Sequence, residues 1–347
     1  MAEKTKNREL PKISEDNDKF EFTGESKTVV DKNGKEHTLY RIRATKDMKL
    51  YRIMATYTIL DSIRDSITSI MDAAAGVDET EKEGGWGVPR IRIYVIRVRK
   101  RELGGFIEKE ENLDHKSSAW ISGGAEVYGD AVVTGEVLVS GYAQVSGKAH
   151  VSGFAEIFDN AVVDEDAQVS GDARVYGKAV VSGKARVYGK ARVYGKAVVS
   201  GKAMVGGMVY GNALVTDNAL VGGTVYGNAK IAGNARVQAS EVYDDAQVYG
   251  DAVVKYARVS GKAQVYGNAI VSDWARVSGK AQVYGDAIVS EHAEVYDDAQ
   301  VYGDARVYGY AGAHDQTKVH GKAVITDGKW ISGDITEENC VKKAKRP

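Results

Sequence analysis

The chain has almost no cysteine and almost no proline. Cys340 is its single cysteine, which excludes an internal disulfide and any cysteine-based metal cluster. Three prolines stand against 39 glycines, and glycine at that level without proline or a Gly-X-Y rhythm is not collagen. Neither sign of charge is in excess, with 47 Lys and Arg against 48 Asp and Glu. No global field therefore favours nucleic acid or an acidic membrane surface. No run approaches the ~18 apolar residues that a membrane span needs. The opening residues, Met1-Ala-Glu-Lys-Thr-Lys-Asn-Arg, are charged where a secretion signal has an apolar core. These absences lead us to expect a soluble protein of a reducing cytoplasm, or a virion component assembled there, with no metal and no cofactor.

What is present falls into two parts. Residues 1–19 are polar and read as a loosely held arm. Residues 20–118 read as a small α+β domain. Phe20-Glu-Phe22 and Lys27-Thr-Val-Val30 alternate as strands, and the turn signal Asp31-Lys-Asn-Gly34 leads to Leu39-Tyr-Arg-Ile-Arg-Ala-Thr45. That heptad is nearly copied as Leu50-Tyr-Arg-Ile-Met-Ala-Thr56. A helix is expected over 59–74, where Ile59, Leu60, Ile63, Ile67, Ile70, Met71 and Ala74 share one face. Thr58 and Asp61 would cap it and Gly76 would end it. A basic strand follows, carrying Arg90, Arg92, Arg97 and Arg99. Its arginines could meet phosphate, although charge on an edge strand also guards against aggregation.

From Ile121 the register becomes Val-x-Gly-x-Ala-x, as in Val175-Tyr-Gly-Lys-Ala-Arg. A six-residue period is the signature of a β-helix. Val and the Ala two residues before it point the same way on a strand, so both face the interior, and Gly turns the corner. Four units are shortened, between Val205 and Val209, Val221 and Val225, Val237 and Val242, and Val254 and Val259. Each follows the previous one by three units, which stacks all four on one edge of a three-sided prism. Residues 119–335 are thus expected to make about 12 coils, a rod on the order of 60 Å long at an inter-strand spacing of ~4.8 Å. Residues 336–347 are left as a tail.

Every third unit shares a face, so the register also sorts the exterior. Tyr176, Tyr194, Tyr210, Tyr226 and Tyr243 form one column after Val, and Tyr249, Tyr266, Tyr284 and Tyr302 another. Before Val, one column is apolar at Val162, Val180, Val198 and Leu214, and the adjacent one at Met204, Leu220, Val253, Ile270 and Ile288. The third is charged, with Arg174, Arg192, Arg258, Arg276 and Glu294. A contiguous exposed apolar stripe of this kind marks an interface.

These repeats resemble the left-handed β-helix hexapeptide-repeat superfamily, whose motif is aliphatic-x-x-x-small-x. The segment Leu103-Gly-Gly-Phe-Ile-Glu-Lys-Glu-Glu-Asn-Leu113 with Ala119-Trp120, and Leu39 to Asp47 upstream, narrows the resemblance to hexapeptide-repeat proteins of gut bacteria and their phages. Those relatives hold the two segments close together, so residues 48–101 read here as an insertion. The resemblance implies an all-β solenoid, a left-handed three-sided parallel β-helix that forms trimers packed along the prism axes.

Many superfamily members transfer acyl groups with a histidine in a cleft between prisms. His150, His292, His314 and His320 are the histidines available in the repeat, and no long loop among the coils builds a substrate pocket beside them. His314 and His320 sit at equivalent positions on adjacent faces, without the third ligand that a histidine metal site needs. Flat rows of Thr, as ice binding would require, are absent. The expected function is a non-catalytic structural or binding protein, a rigid trimeric rod presenting an N-terminal interaction unit and encoded by a phage. Its expected partners are further copies of itself, a host or virion protein, and glycan stacked on the tyrosine ladders. The alternatives are an acyltransferase-like enzyme with an inter-subunit site and a phage effector that binds a host protein through residues 48–101.

Overall fold

The computed structural model describes residues 10–55, 79–81, 91–330 and 333–338. The helix expected over 59–74, Arg90 and Cys340 lie outside the described residues. Among the described residues the only helical element is the 3-10 turn Glu110–Asn112, and no helix is long and apolar enough to cross a membrane.

From Trp120 onward the chain is a parallel β-solenoid. Strands of two or three residues alternate with turns and form three faces of 13, 13 and 12 strands, the second of which gains three N-terminal strands to make a 16-stranded sheet. In chain order the first face begins at Trp120–Ile121, the second at Glu126–Val127 and the third at Val132–Val133. Thirteen strands at the ~4.8 Å spacing of a sheet make a rod on the order of 60 Å long. The local cause is the six-residue unit. In Ala173-Arg-Val175, Ala173 and Val175 are fully buried while Arg174 between them is not, and this repeats along the rod. Each Val fills the tube and each Ala fits beside the corner, so the core is a single column of small and branched side chains. Backbone N–H groups bond to the coil that follows, as in Arg174 N to Ala191 O at 2.9 Å. This ladder gives the buried peptides of the coils their partners.

The turn position is left-handed. Gly183 has φ +68 and Gly201 φ +68, and a Cβ built on Gly183 would stand 2.7 Å from the carbonyl oxygen of Gly201. Glycine is therefore needed there twice over, for its dihedral and for the closeness of the next coil. At several coils Asp replaces Gly at this position and its carboxylate accepts from the next glycine N–H, as Asp244 does from Gly261 at 3.1 Å. All four shortened units lie at the corner between the third and first faces, stacked in consecutive coils as the three-sided reading requires.

The N-terminal strands are built onto this rod. β1 (Phe20–Val30) and β2 (Glu36–Ala44) pair antiparallel, β2 pairs with β6 (Leu103–Ile107), and β6 runs parallel to the first strand of the second face. They form the top of the 16-stranded sheet and cover one end of the solenoid. Phe20, Ile42, Ile107 and Leu113 continue the apolar column there. Polar groups fix the cap. Lys19, fully buried, donates from Nζ to the Asp114 carbonyl at 2.7 Å, and burial lowers its pKa to about 7. His37 lies 2.9 Å from the Glu108 carboxylate, with its ring 5.0 Å from that of Tyr128.

Three further strands, β3 (Met48–Ala55), β4 (Glu79–Glu81) and β5 (Ile91–Val98), form their own antiparallel sheet in the order β3-β5-β4, which joins the common core through buried Met48, Leu50 and Val98. The near-duplicate heptads thus divide between two sheets, Leu39–Ala44 in the cap and Leu50–Ala55 in the separate one.

Candidate binding groove on the first face

The outward positions flank each interior Val, so every face carries two parallel rows. On the second face Val162, Val180, Val198 and Leu214 stand in register, all half-buried, and Lys230 then Gln247 end the run. On the third face Met204 and Leu220 are followed by Arg236, Val253, Ile270 and Ile288. The expected single stripe is therefore two patches on two faces, with Arg236 interrupting the longer one. The patches are also offset in height, because Leu214 and Leu220 belong to one coil near the end of the first patch and the start of the second.

Both tyrosine columns are stacked ladders. Phe158, Tyr176, Tyr194, Tyr210, Tyr226 and Tyr243 run down the corner between the first and second faces, with centroids 4.7–4.9 Å apart. Tyr249, Tyr266, Tyr284 and Tyr302 run down the corner between the second and third faces, 4.9 Å apart, and end on His320. Burial, with a neighbouring phenol as the next cause, raises the pKa of Tyr176, Tyr210, Tyr226, Tyr266 and Tyr284, and burial raises that of Tyr249. This geometry changes what the ladders can recognise. Each ring face is covered by the next ring, so only ring edges and hydroxyls meet solvent, and a sugar has no ring face to stack on except at a ladder's end.

The other expected residues are dispersed. Arg97 and Arg99 are exposed near the end of β5, and Arg92 is opposite Met54 and Glu81 in backbone register. His150 is exposed on the third face, His292 stacks on Tyr310 at 5.1 Å, and His314 stacks on Tyr296 at 4.8 Å. Ligand atoms of Asp297, His314 and Asp315 come within 4.8 Å of one another. His314 Nδ1 is already 2.8 Å from Asp315, and both carboxylates face solvent. This cluster does not include His320; Asp297 and Asp315 are neighbours of His314 because the residues replacing glycine at a turn stack from coil to coil.

One constellation escaped the reading of the sequence. Tyr256, Trp274, His292 and Tyr310 occupy the corner between the third and first faces in four consecutive coils, where they overhang the first face. Trp274 is 70% exposed, Tyr310 76% and Tyr256 47%. The signal was their spacing, which equals one coil of 18 residues. It was hidden because the four rings differ in type, and because Tyr256 lies in a shortened unit. Beneath them the charged row of the first face forms lateral ion pairs, Arg258 with Glu241 at 3.0 Å and Arg276 with Glu294 at 3.5 Å. The row then falls to Gly312, and a Cβ there would meet nothing nearer than 3.8 Å. The aromatic overhang and this floor enclose a groove of about 630 Å³, within the range of small-ligand clefts.

Five stretches of the solenoid, residues 167–183, 185–201, 209–223, 263–279 and 299–315, match the family model of the YdcK beta solenoid repeat. They support membership of a repeat β-helix family for this region. No curated protein matches the chain.

Proposed function

We propose that the protein is a non-catalytic structural or binding rod that associates with copies of itself, as a trimer, and presents the 48–101 unit at one end to a host or virion protein. The observation that carries the reading is the uninterrupted coil-to-coil ladder over three faces, closed at one end by β1, β2 and β6. A solenoid whose every coil is bonded to both neighbours is stiff and holds its ends at a fixed separation. The chemistry of its outer surface is dominated by extended rows, which suits contact over length.

In a threefold arrangement about an axis parallel to the rods, surfaces meet at equal height. The two apolar patches share height only in the coils of Val198 and Leu214, so a trimer would be centred there. Light scattering on the full chain and on a Val180→Lys, Val198→Lys double variant tests this. Three copies falling to one supports the trimer through this patch. Two copies would replace it by a face-to-face pair, and a wild-type monomer would remove self-association.

The partner role of the 48–101 unit is favoured by its separate sheet and by where its ends lie. Ala44 N donates to Glu102 O at 2.9 Å, so the chain leaves and re-enters the cap at adjacent points. Removing 48–101 should therefore leave a folded rod. A host-directed effect that survives this deletion would reject the partner role.

A further inference from the structure

The geometry points to the groove on the first face as a carbohydrate-binding site, which takes an oligosaccharide lying along the rod against Trp274. Three observations converge on it. The first is that the Trp274 ring is displayed at a conformational penalty. Asp273 and Trp274 have φ of 53 and 74, two successive non-glycine residues in the left-handed region. Bulky side chains rarely adopt it, and such strain concentrates at functional sites. The corner is fixed in this form by Trp274 N donating to Tyr256 O at 2.6 Å and Asp273 N donating to Lys255 O at 3.1 Å.

The second is that these ring faces are open where those of the ladders are shut. Among the described residues neither Tyr256 nor Trp274 stacks on another ring, whereas every ladder tyrosine does. One side of Tyr256 has the Lys255 ammonium 5.4 Å from its centroid, which leaves the indole of Trp274 as the broad free surface. An open aromatic face is what the C–H side of a pyranose packs against.

The third is the floor. Arg258–Glu241 and Arg276–Glu294 set guanidinium and carboxylate groups side by side in successive coils. Their planar donors and acceptors match vicinal hydroxyls, and their pairing cancels the field that a nucleic acid would need. A charged floor equally excludes an acyl chain. Beyond Glu294, Gly312 deepens the groove towards exposed Lys329. This inference is independent of the self-association proposed above, since the groove is on the first face and the apolar patches are on the other two.

The test uses the full chain and reads Trp fluorescence. Trp120 and Trp330 are buried, at 1% and 7% exposure, and the fourth tryptophan, Trp86, is replaced in a Trp86→Phe background, so a sugar-induced change in emission reports chiefly on Trp274. Maltohexaose, cellohexaose, chitohexaose and a hyaluronan hexasaccharide are titrated in turn, beside a printed array of bacterial and animal glycans. The expected result is saturable binding to at least one, weakened tenfold or more in Trp274→Ala and in Glu294→Gln, and unchanged in the ladder variant Tyr210→Ser. Thermal midpoints of the variants confirm that the rod is intact. Absence of binding across the probes and the array, or binding that Trp274→Ala leaves unchanged, overturns the proposal. Preference for hyaluronan over the neutral sugars would place its carboxylates at Lys329, and Lys329→Met should then remove the preference. Failure of the sugar site would leave the mass measurement, and the rod reading with it, untouched.

Discussion

Replacing Tyr210 by serine removes two ring stacks at once, with Tyr194 at 4.8 Å and with Tyr226 at 4.9 Å. Serine is the natural choice because the same column continues as Ser260 and Ser278 below Tyr243, so the fold accepts it. An aromatic pair contributes about 0.5–1.5 kcal/mol beyond its burial, which puts the loss at about 1–3 kcal/mol. Tyr243 is the last ring of the ladder and stacks on one neighbour, Tyr226, at 4.9 Å. Tyr243→Ser should therefore cost about half as much. Urea titration followed by far-UV circular dichroism reads both. The informative quantity is the ratio, since side-chain entropy and burial are nearly common to the two sites. Equal losses would show that stacking adds nothing and that the ladder is only a consequence of repeated sequence. A Tyr210→Ser, Tyr226→Ser double variant should lose less than the sum of the singles, because the stack between the two rings is counted in each.

Further outcomes follow from features at other levels. Lys19 has a folded pKa of about 7 against 10.5 when free, so the unfolded chain binds the extra proton between those values. Stability should rise with pH from about 7 towards 10, by up to about 1.4 kcal/mol per pH unit, and Lys19→Met should flatten the slope in denaturant titrations at several pH values. Above the ordinary tyrosine pKa the sign reverses: phenols whose folded pKa is raised, such as Tyr226 and Tyr266, favour folding below about pH 10 and lose that contribution as pH rises through the folded value. Gly183→Ala should destabilise more than Gly189→Ala, both measured by thermal midpoint. The two share a left-handed φ, costing Ala about 1–2 kcal/mol, but only Gly183 has the next coil within 4 Å.

The solenoid was legible because its constraints are local and repeated. Inward positions of a coil with two interior places per side are taken almost throughout by Val, Ile or Ala, so the alternation is written on nearly every unit. Corner lengths were equally plain, and the four shortened units fixed the number of sides. The N-terminal cap was harder. Leu39–Thr45 and Leu50–Thr56 are almost the same heptad, and only their neighbours decide that the first completes the second-face sheet while the second joins β5. The aromatic column at the third corner was missed for a different reason. Its meaning lies in what the rings do not touch, and openness of a ring face is a property of three dimensions that residue spacing alone does not report. The ladders illustrate the converse, since five tyrosines in register look like a recognition surface until their stacking shows the faces to be occupied.

The cap over one end has a consequence for how the chain comes to be folded. Along the rod, partners are 16–18 residues apart in a chain of 347, a relative contact order of about 0.05. That lies below the range of helical bundles, although the protein is built of sheet. The long early closures are those that make the cap, where Arg41 meets Gly104 across 63 residues and Lys19 meets Asp114 across 95. Once β1, β2 and β6 are in place they offer a finished strand edge, and every later coil need only wind once around to find the edge laid down before it. Assembly would then run in the direction of synthesis, with the cap as a seed and one growing edge exposed at any moment. The slow step of this all-β protein would lie in its first hundred residues, and its long repeat would follow as fast propagation.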